Sequence, residues 1–181
     1  LARKHHVHIV YGFPERDPVL TDVLYNAAVL IDSDGKARGT YRKVHPFADE
    51  KRWCRAGCGF PVFDTEIGKL GIMICWDTGF PEVARCYALQ GVDLLIVSTF
   101  DNTLHLVAAN RIGNDGGTLS FFGHSKIMDP VGREIAALDE EKEGVISAEI
   151  DLSLTQKERA RYYTFFRDRR PDVYGEIVKP Y

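Results

Sequence analysis

The chain has 181 residues, 45% of them hydrophobic and 27% charged, enough apolar material for one domain with a sizeable core. A net charge of −3 excludes a general attraction to nucleic acid or anionic membrane, and no apolar run reaches the ~20 residues of a membrane span. Four scattered cysteines, Cys54, Cys58, Cys75 and Cys86, make no disulfide framework and suit a reducing, cytoplasmic setting.

Residues 8–11 read as a short strand, and 13–18, with Pro14 and Pro18 as breakers, as a loop. Residues 24–31 and 37–44 read as two strands joined by the hairpin signal Asp32-Ser33-Asp34-Gly35-Lys36. The second strand ends in Tyr41-Arg42-Lys43, and a lysine there is ordinarily a solvated charge. A polar loop with Asp49 and Glu50 follows, then a glycine-rich stretch over 53–59. Cys54 and Cys58, with His45 upstream, raise the question of zinc. A structural zinc site needs four ligands in recognisable pairs, and with no second pair no metal is assigned.

After a short strand over 61–64 comes the stretch around which the chain is organised. Residues 70–74 have the composition of a buried strand, which breaks at Cys75-Trp76-Asp77-Thr78-Gly79. Pro81 suits the first position of a helix, Glu82 suits its positive end, and Gly91 suits its stop after Gln90. A further apolar strand covers 93–98. Cys75 therefore sits at a strand-to-helix turn, where a side chain projects from the sheet and nearby amides can face a developing oxyanion. Two readings stand at this point: a small buried hydrophobe, or a nucleophile.

Residues 99–103 join that strand almost directly to another over 104–109. A parallel pair needs a crossover of about a dozen residues, so the pair is antiparallel or a segment is missing. Residues 110–117 read as a glycine-rich loop, 121–128 and 134–138 as strands about a turn, 139–143 as a solvated acidic loop and 144–150 as a strand. Asp151 or Ser153 caps a helix over 154–163. The tail, 164–181, mixes arginines with aromatics. No repeat or linker divides the chain, so 1–181 reads as a single domain.

Together Tyr41-Arg42-Lys43-Val44-His45, Gly71-Ile72-Met73-Ile74-Cys75-Trp76-Asp77 and Phe80-Pro81-Glu82 resemble the carbon–nitrogen hydrolase family, the nitrilase superfamily. The resemblance extends through Tyr25-Asn26-Ala27-Ala28, Asn110-Arg111, Gly123-His124-Ser125, Asp129-Pro130-Val131-Gly132 and Asp168-Arg169-Arg170-Pro171-Asp172-Val173-Tyr174. It implies an α/β fold, a four-layer α-β-β-α sandwich, here without the N-terminal strand and helix and without an internal segment near 99–102. It also implies Cys75 as nucleophile, Lys43 with the Trp76 N–H as oxyanion stabiliser, and Glu50 as the glutamate that positions lysine or substrate. Trp76, Asp77, Phe80 and Glu82 are implied to line the pocket. The family's general-base glutamate lies on an earlier strand than this sequence contains, and Glu15 matches a loop position instead. His124, a strand histidine, reads as structural.

The implied reaction is hydrolysis of a small linear amide or N-carbamoyl compound through a thioester, with no cofactor. Trp76-Asp77 resembles the amidase and carbamoylase branches, and nitrile hydrolysis is the alternative within the family. The implied partners are the substrate and further copies of the chain, a homodimer or larger, with the helix after Cys75 and the tail at the contacts. Two other classes are weighed. A non-catalytic subunit keeping the fold has no need of both Lys43 and Cys75. A nucleic-acid surface on the arginine-aromatic tail is opposed by the net negative charge.

Overall fold

The computed structural model describes residues 1–96, 103–114, 116–117, 120–138, 142–161 and 178. A short helix α1 (Ala2–His5) leads into an antiparallel sheet of β1 (Ile9–Arg16), β2 (Leu24–Ile31) and β3 (Ala37–Arg42), in that order. The β2–β3 hairpin turns where Asp32 Oδ1 accepts the Asp34 and Lys36 amides at 3.1 and 2.8 Å, with Gly35 at φ 79°. After α2 (Glu50–Trp53) the chain enters a second sheet. It contains β4 (Phe63–Thr65), β5 (Gly68–Ile72), β6 (Leu94–Ile96), β7 (His105–Ala108), β10 (Lys126–Met128) and β11 (Glu134–Ala137), in the spatial order β11-β10-β7-β6-β5-β4. Between β5 and β6 runs α3 (Pro81–Leu89), and β8 (Ile112–Asn114) pairs with β9 (Ser120–Phe122) apart from both sheets. The last helix is α4 (Ser153–Arg161).

Two apolar clusters make this a layered α/β sandwich. Ala28, Leu30 and Tyr41 of the first sheet pack against Phe63, Leu70 and Ile72 of the second. Val83, Ala84, Tyr87 and Ala88 of α3 pack with Leu95 and Leu104 on the second sheet's side of the molecule. The helix lies close because β5 carries Gly71. A Cβ there would stand 2.8 Å from the Tyr87 ring and 3.0 Å from the Leu95 side chain. The Tyr87 hydroxyl then donates to the Ile72 carbonyl at 2.7 Å. Further along, α4 docks where the Thr155 hydroxyl donates to the Asp93 carbonyl at 3.3 Å and meets His105 Nδ1 at 3.2 Å.

The strands over 24–31 and the helix from Pro81 form as the sequence indicates. Elsewhere the structure corrects the reading. β1 continues through Pro14 to Arg16, because an outer strand tolerates a missing N–H. The expected strand over 121–128 breaks into β9 and β10 at Gly123 and His124, whose φ values of 70° and 58° are not extended. The expected loop over 110–117 contains β8. Residues 144–150 are assigned to no strand.

β6 and β7 pair in parallel, with Leu94 opposite His105 and Ile96 opposite Val107, which removes the antiparallel alternative. Residues 97–104 are shorter than an ordinary parallel crossover, and 97–102, like the tail 164–177, lie outside the described residues.

Gly71→Ala forces the Tyr87 ring off β5. A loss of about 1–3 kcal/mol is expected in urea unfolding, with the wild-type m-value retained.

Candidate active site

Strand alternation puts Tyr41 and Lys43 on one face, toward the second sheet. The Lys43 side chain is 0% exposed, and a buried cation requires an anion. Its Nζ donates to Glu50 Oε2 at 2.6 Å. The same oxygen accepts the Phe47 amide at 2.7 Å, and Oε1 accepts Asn26 Nδ2 at 2.9 Å. Burial works to raise the Glu50 pKa. The Lys43 hydrogen bond and charge, the Phe47 amide and the Asn26 side chain outweigh it and hold the carboxyl below its usual range.

The backbone of Lys43 is fixed on both sides. Its amide donates to the Asn26 carbonyl and its carbonyl accepts the Gly57 amide, each at 2.8 Å. A Cβ at residue 57 would stand 2.1 Å from the Arg42 carbonyl oxygen, so only glycine lets that loop lie against the lysine.

Cys75 opens a 3-10 turn, Cys75–Gly79, between β5 and α3. It is exposed and left-handed, with φ 46°, a conformation that a non-glycine residue rarely holds. Trp76 beside it is exposed and meets Phe47 at 4.7 Å and Phe80, edge-on, at 6.2 Å. The His45 ring stacks on Phe80 at 3.8 Å and 12°. These four rings form one aromatic wall next to the cysteine turn and the Glu50 loop. Glu82 lies exposed in the first turn of α3.

Asp77, expected on the pocket wall, is instead fully buried. A 3-10 turn repeats every three residues, so positions 75 and 77 leave it on different sides. Asp77 Oδ2 accepts the Tyr41 hydroxyl at 2.7 Å and the Ile74 amide at 3.0 Å. Its Oδ1 accepts the His45 amide at 3.1 Å and lies 2.8 Å from His45 Nδ1. Burial, then the Asp77 hydrogen bond and charge, push the Tyr41 phenol far above its usual range, so it stays a neutral donor.

Residues 1–160 match the family model described as carbon-nitrogen hydrolase. The chain belongs to the carbon–nitrogen hydrolase family. It is 50% identical over 198 residues to a probable nitrilase of Schizosaccharomyces pombe, covering 99% of this chain and 72% of the relative. That alignment is longer than the chain, so the relative carries internal residues with no counterpart here. An N-carbamoylputrescine amidase of Arabidopsis thaliana is 35% identical over 191 residues, covering 85% of this chain and 64% of the relative. The crystal structure of a carbon–nitrogen hydrolase from Helicobacter pylori G27 superposes with a TM-score of 0.90 at 32% identity, covering 99% of this chain and 74% of that one.

In this hydrolase the structure joins Lys43 to Glu50 directly, and joins the Lys43 segment to the Cys75 turn through Asp77. Asn26, Tyr41, His45 and Phe47 complete the arrangement; the sequence weighs His45 only as a zinc ligand and assigns the other three no role. The available signal was period-two spacing, which aligns Tyr41 with Lys43. Glu15 is occupied elsewhere, accepting Arg42 Nε at 2.7 Å and Nη2 at 2.9 Å while the guanidinium lies 4.0 Å above the Tyr25 ring. His124 is exposed at the β9–β10 corner near Phe122. Among the described residues, no group of three or more His, Cys, Asp or Glu is placed to hold a metal ion. The Cys54 thiol is pushed up by burial, and Cys58 is exposed.

Glu50→Gln leaves Lys43 buried without its anion, and a loss on the order of 2–4 kcal/mol at pH 7 is expected. The folded-state pKa of Glu50 lies below its unfolded value, so the ionised carboxylate's contribution is fully present above about pH 4.3. It is lost as pH falls through the folded pKa. Urea unfolding at a series of pH values should show the wild-type advantage over Glu50→Gln shrinking below about pH 4.3.

Proposed function

We propose that this hydrolase cleaves the C–N bond of a small linear amide or N-carbamoyl compound through a thioester on Cys75. The observation that carries this reading is the exposed, left-handed Cys75 at the strand-to-helix turn, tied through Asp77 to the segment of a buried lysine paired with Glu50. In the first step the Cys75 thiolate attacks the carbonyl carbon, and the C=O electron pair moves onto oxygen. Lys43 and the Trp76 N–H stabilise that oxyanion. The intermediate collapses, the C–N bond breaks, and the departing nitrogen takes up the proton given up by the thiol. Water then attacks the thioester, releasing the acid and restoring the thiol.

Glu50 acts by holding Lys43, since its oxygens already receive Lys43, Phe47 and Asn26. The aromatic wall of Trp76, Phe80, Phe47 and His45 borders the substrate space, with Glu82 at its rim. The N-carbamoylputrescine amidase relative supports the carbamoyl class. A nitrile is the second reading, favoured by the name of the fission-yeast relative. Cys75 would then add to the C≡N carbon, giving a thioimidate that water converts, with loss of ammonia, to the same thioester. Free cysteines suit the reducing cytoplasm. A single domain over 1–181, assembled as a homo-oligomer through the helix after Cys75 and the tail, completes the reading.

The test is ammonia release by the purified protein from a panel of linear amides, N-carbamoyl amines and acids, and aliphatic nitriles. Release from amides or carbamoyl compounds is expected, with an acyl adduct on Cys75 by mass spectrometry. Cys75→Ala should lose about a thousandfold or more in rate with an unchanged circular dichroism spectrum. Release from nitriles alone moves the substrate to the second reading. No release from any member overturns the catalytic reading in favour of a non-catalytic subunit.

A further inference from the structure

Lys43 and Cys75 stand 32 positions apart, on segments that extend from different sheets. What holds those sheets together near the site is apolar: Ala28, Leu30 and Tyr41 against Phe63, Leu70 and Ile72. Apolar packing is non-directional, so it sets the spacing of two sheets better than their slide past each other. A nucleophile and its oxyanion partner need their relative place fixed to about half an ångström.

Asp77 supplies directional bonds at this point. Three of its four donors come from the Lys43 side: the Tyr41 hydroxyl two residues before the lysine, and the His45 amide and ring two residues after it. The fourth is the amide of Ile74, the residue immediately before Cys75. An acceptor-only carboxylate makes His45 Nδ1 the ring's donor. The four bonds divide evenly between the two oxygens, and at 0% exposure no water replaces a lost partner.

We propose that Asp77 is a positioning residue for the hydrolytic reaction, a buried brace that sets Lys43 against Cys75 through Tyr41 and His45. The proposal rests on the roles assigned above to Cys75 and Lys43. The brace needs a carboxylate. An asparagine has one acceptor oxygen, so in either orientation two of the four donors lose their acceptor and face an N–H group instead. Tyr41→Phe is the milder probe. It removes the hydroxyl bond to Asp77 and the 3.3 Å acceptor of the Val44 amide, and leaves the ring in the core. The Tyr41 hydroxyl bonds no member of the aromatic wall, so its loss is to be read in kcat, whereas Asp77 also holds the His45 ring of that wall.

The experiment compares wild type, Asp77→Asn, Tyr41→Phe and the double variant on the best substrate of the panel. Rates are expressed per active site titrated by alkylation of Cys75, quantified on the Cys75 peptide because Cys58 is also exposed. The expected result is a fall in kcat of about tenfold to a hundredfold in each single variant, with KM within about threefold in Tyr41→Phe. The double variant should fall well short of the product of the two effects. An unchanged kcat per titrated site, or independent and multiplicative effects, overturns the brace, because a purely structural role lowers the number of folded sites and not the rate of each. Should Asp77→Asn fail to fold, Tyr41→Phe decides alone on the same kcat readout.

A wild-type protein that hydrolyses nothing on the panel removes the functional reading and leaves this one testable. The second-order rate of Cys75 alkylation by iodoacetamide is then expected to change at least about threefold in Tyr41→Phe if the brace sets the cysteine turn. An unchanged rate overturns the proposal.

Discussion

A lysine ammonium with no exposed side-chain surface is the constraint on which the site depends. In a low-dielectric interior the charge on Lys43 must be met or surrendered, and Glu50 meets it at 2.6 Å. That requirement spreads outward. Glu50 needs its remaining acceptor capacity filled, which draws in the Phe47 amide and the Asn26 side chain. Asn26 in turn accepts the Lys43 amide, and the loop carrying Gly57 closes over the lysine carbonyl. Five separated positions in the chain are thereby committed to one ion pair.

The fold provides the setting by bringing two kinds of sheet face to face. The antiparallel sheet carries Lys43 at the end of a hairpin, a short-range product of Asp32 and Gly35. The mixed sheet carries Cys75 where β5 gives way to α3, and its neighbouring β6 and β7 run parallel to β5. Gly71 and Tyr87 seat the helix so closely that the turn between them has little room to relax. Directional bonds accepted by Asp77 then tie the Lys43 segment of one sheet to the Cys75 turn of the other.

The parts of this that could be read in the sequence are those written locally. An apolar run, a proline at the first helical position and a glycine at the stop predict α3 and the turn before it; an Asp-Gly turn between apolar runs predicts β2 and β3. The positions of Cys75, Lys43 and Glu50 in a family pattern point to chemistry. What could not be read depends on distant neighbours. Pro14 sits in a strand because that strand is an outer one, and the corner at Gly123 and His124 is fixed partly by the Asn110 side chain on the Gly123 carbonyl. The family resemblance implies a pocket place for Asp77, two residues after the cysteine, while its partners Tyr41 and His45 lie more than thirty positions back. A contact between two sheets has no periodicity to betray it.

Cys75 keeps a backbone angle that glycine adopts freely and that an L-residue holds at a cost on the order of 1–2 kcal/mol. Folding alone therefore gives no reason for a cysteine at this position. A lineage without the proposed thioester chemistry could recover that energy with a glycine or an asparagine, and an engineer selecting only for thermal tolerance would be led to the same replacement. Under the proposed role of Cys75, the strained turn ties persistence of the thiol to its use: the scaffold tolerates this side chain without drawing stability from its backbone angle.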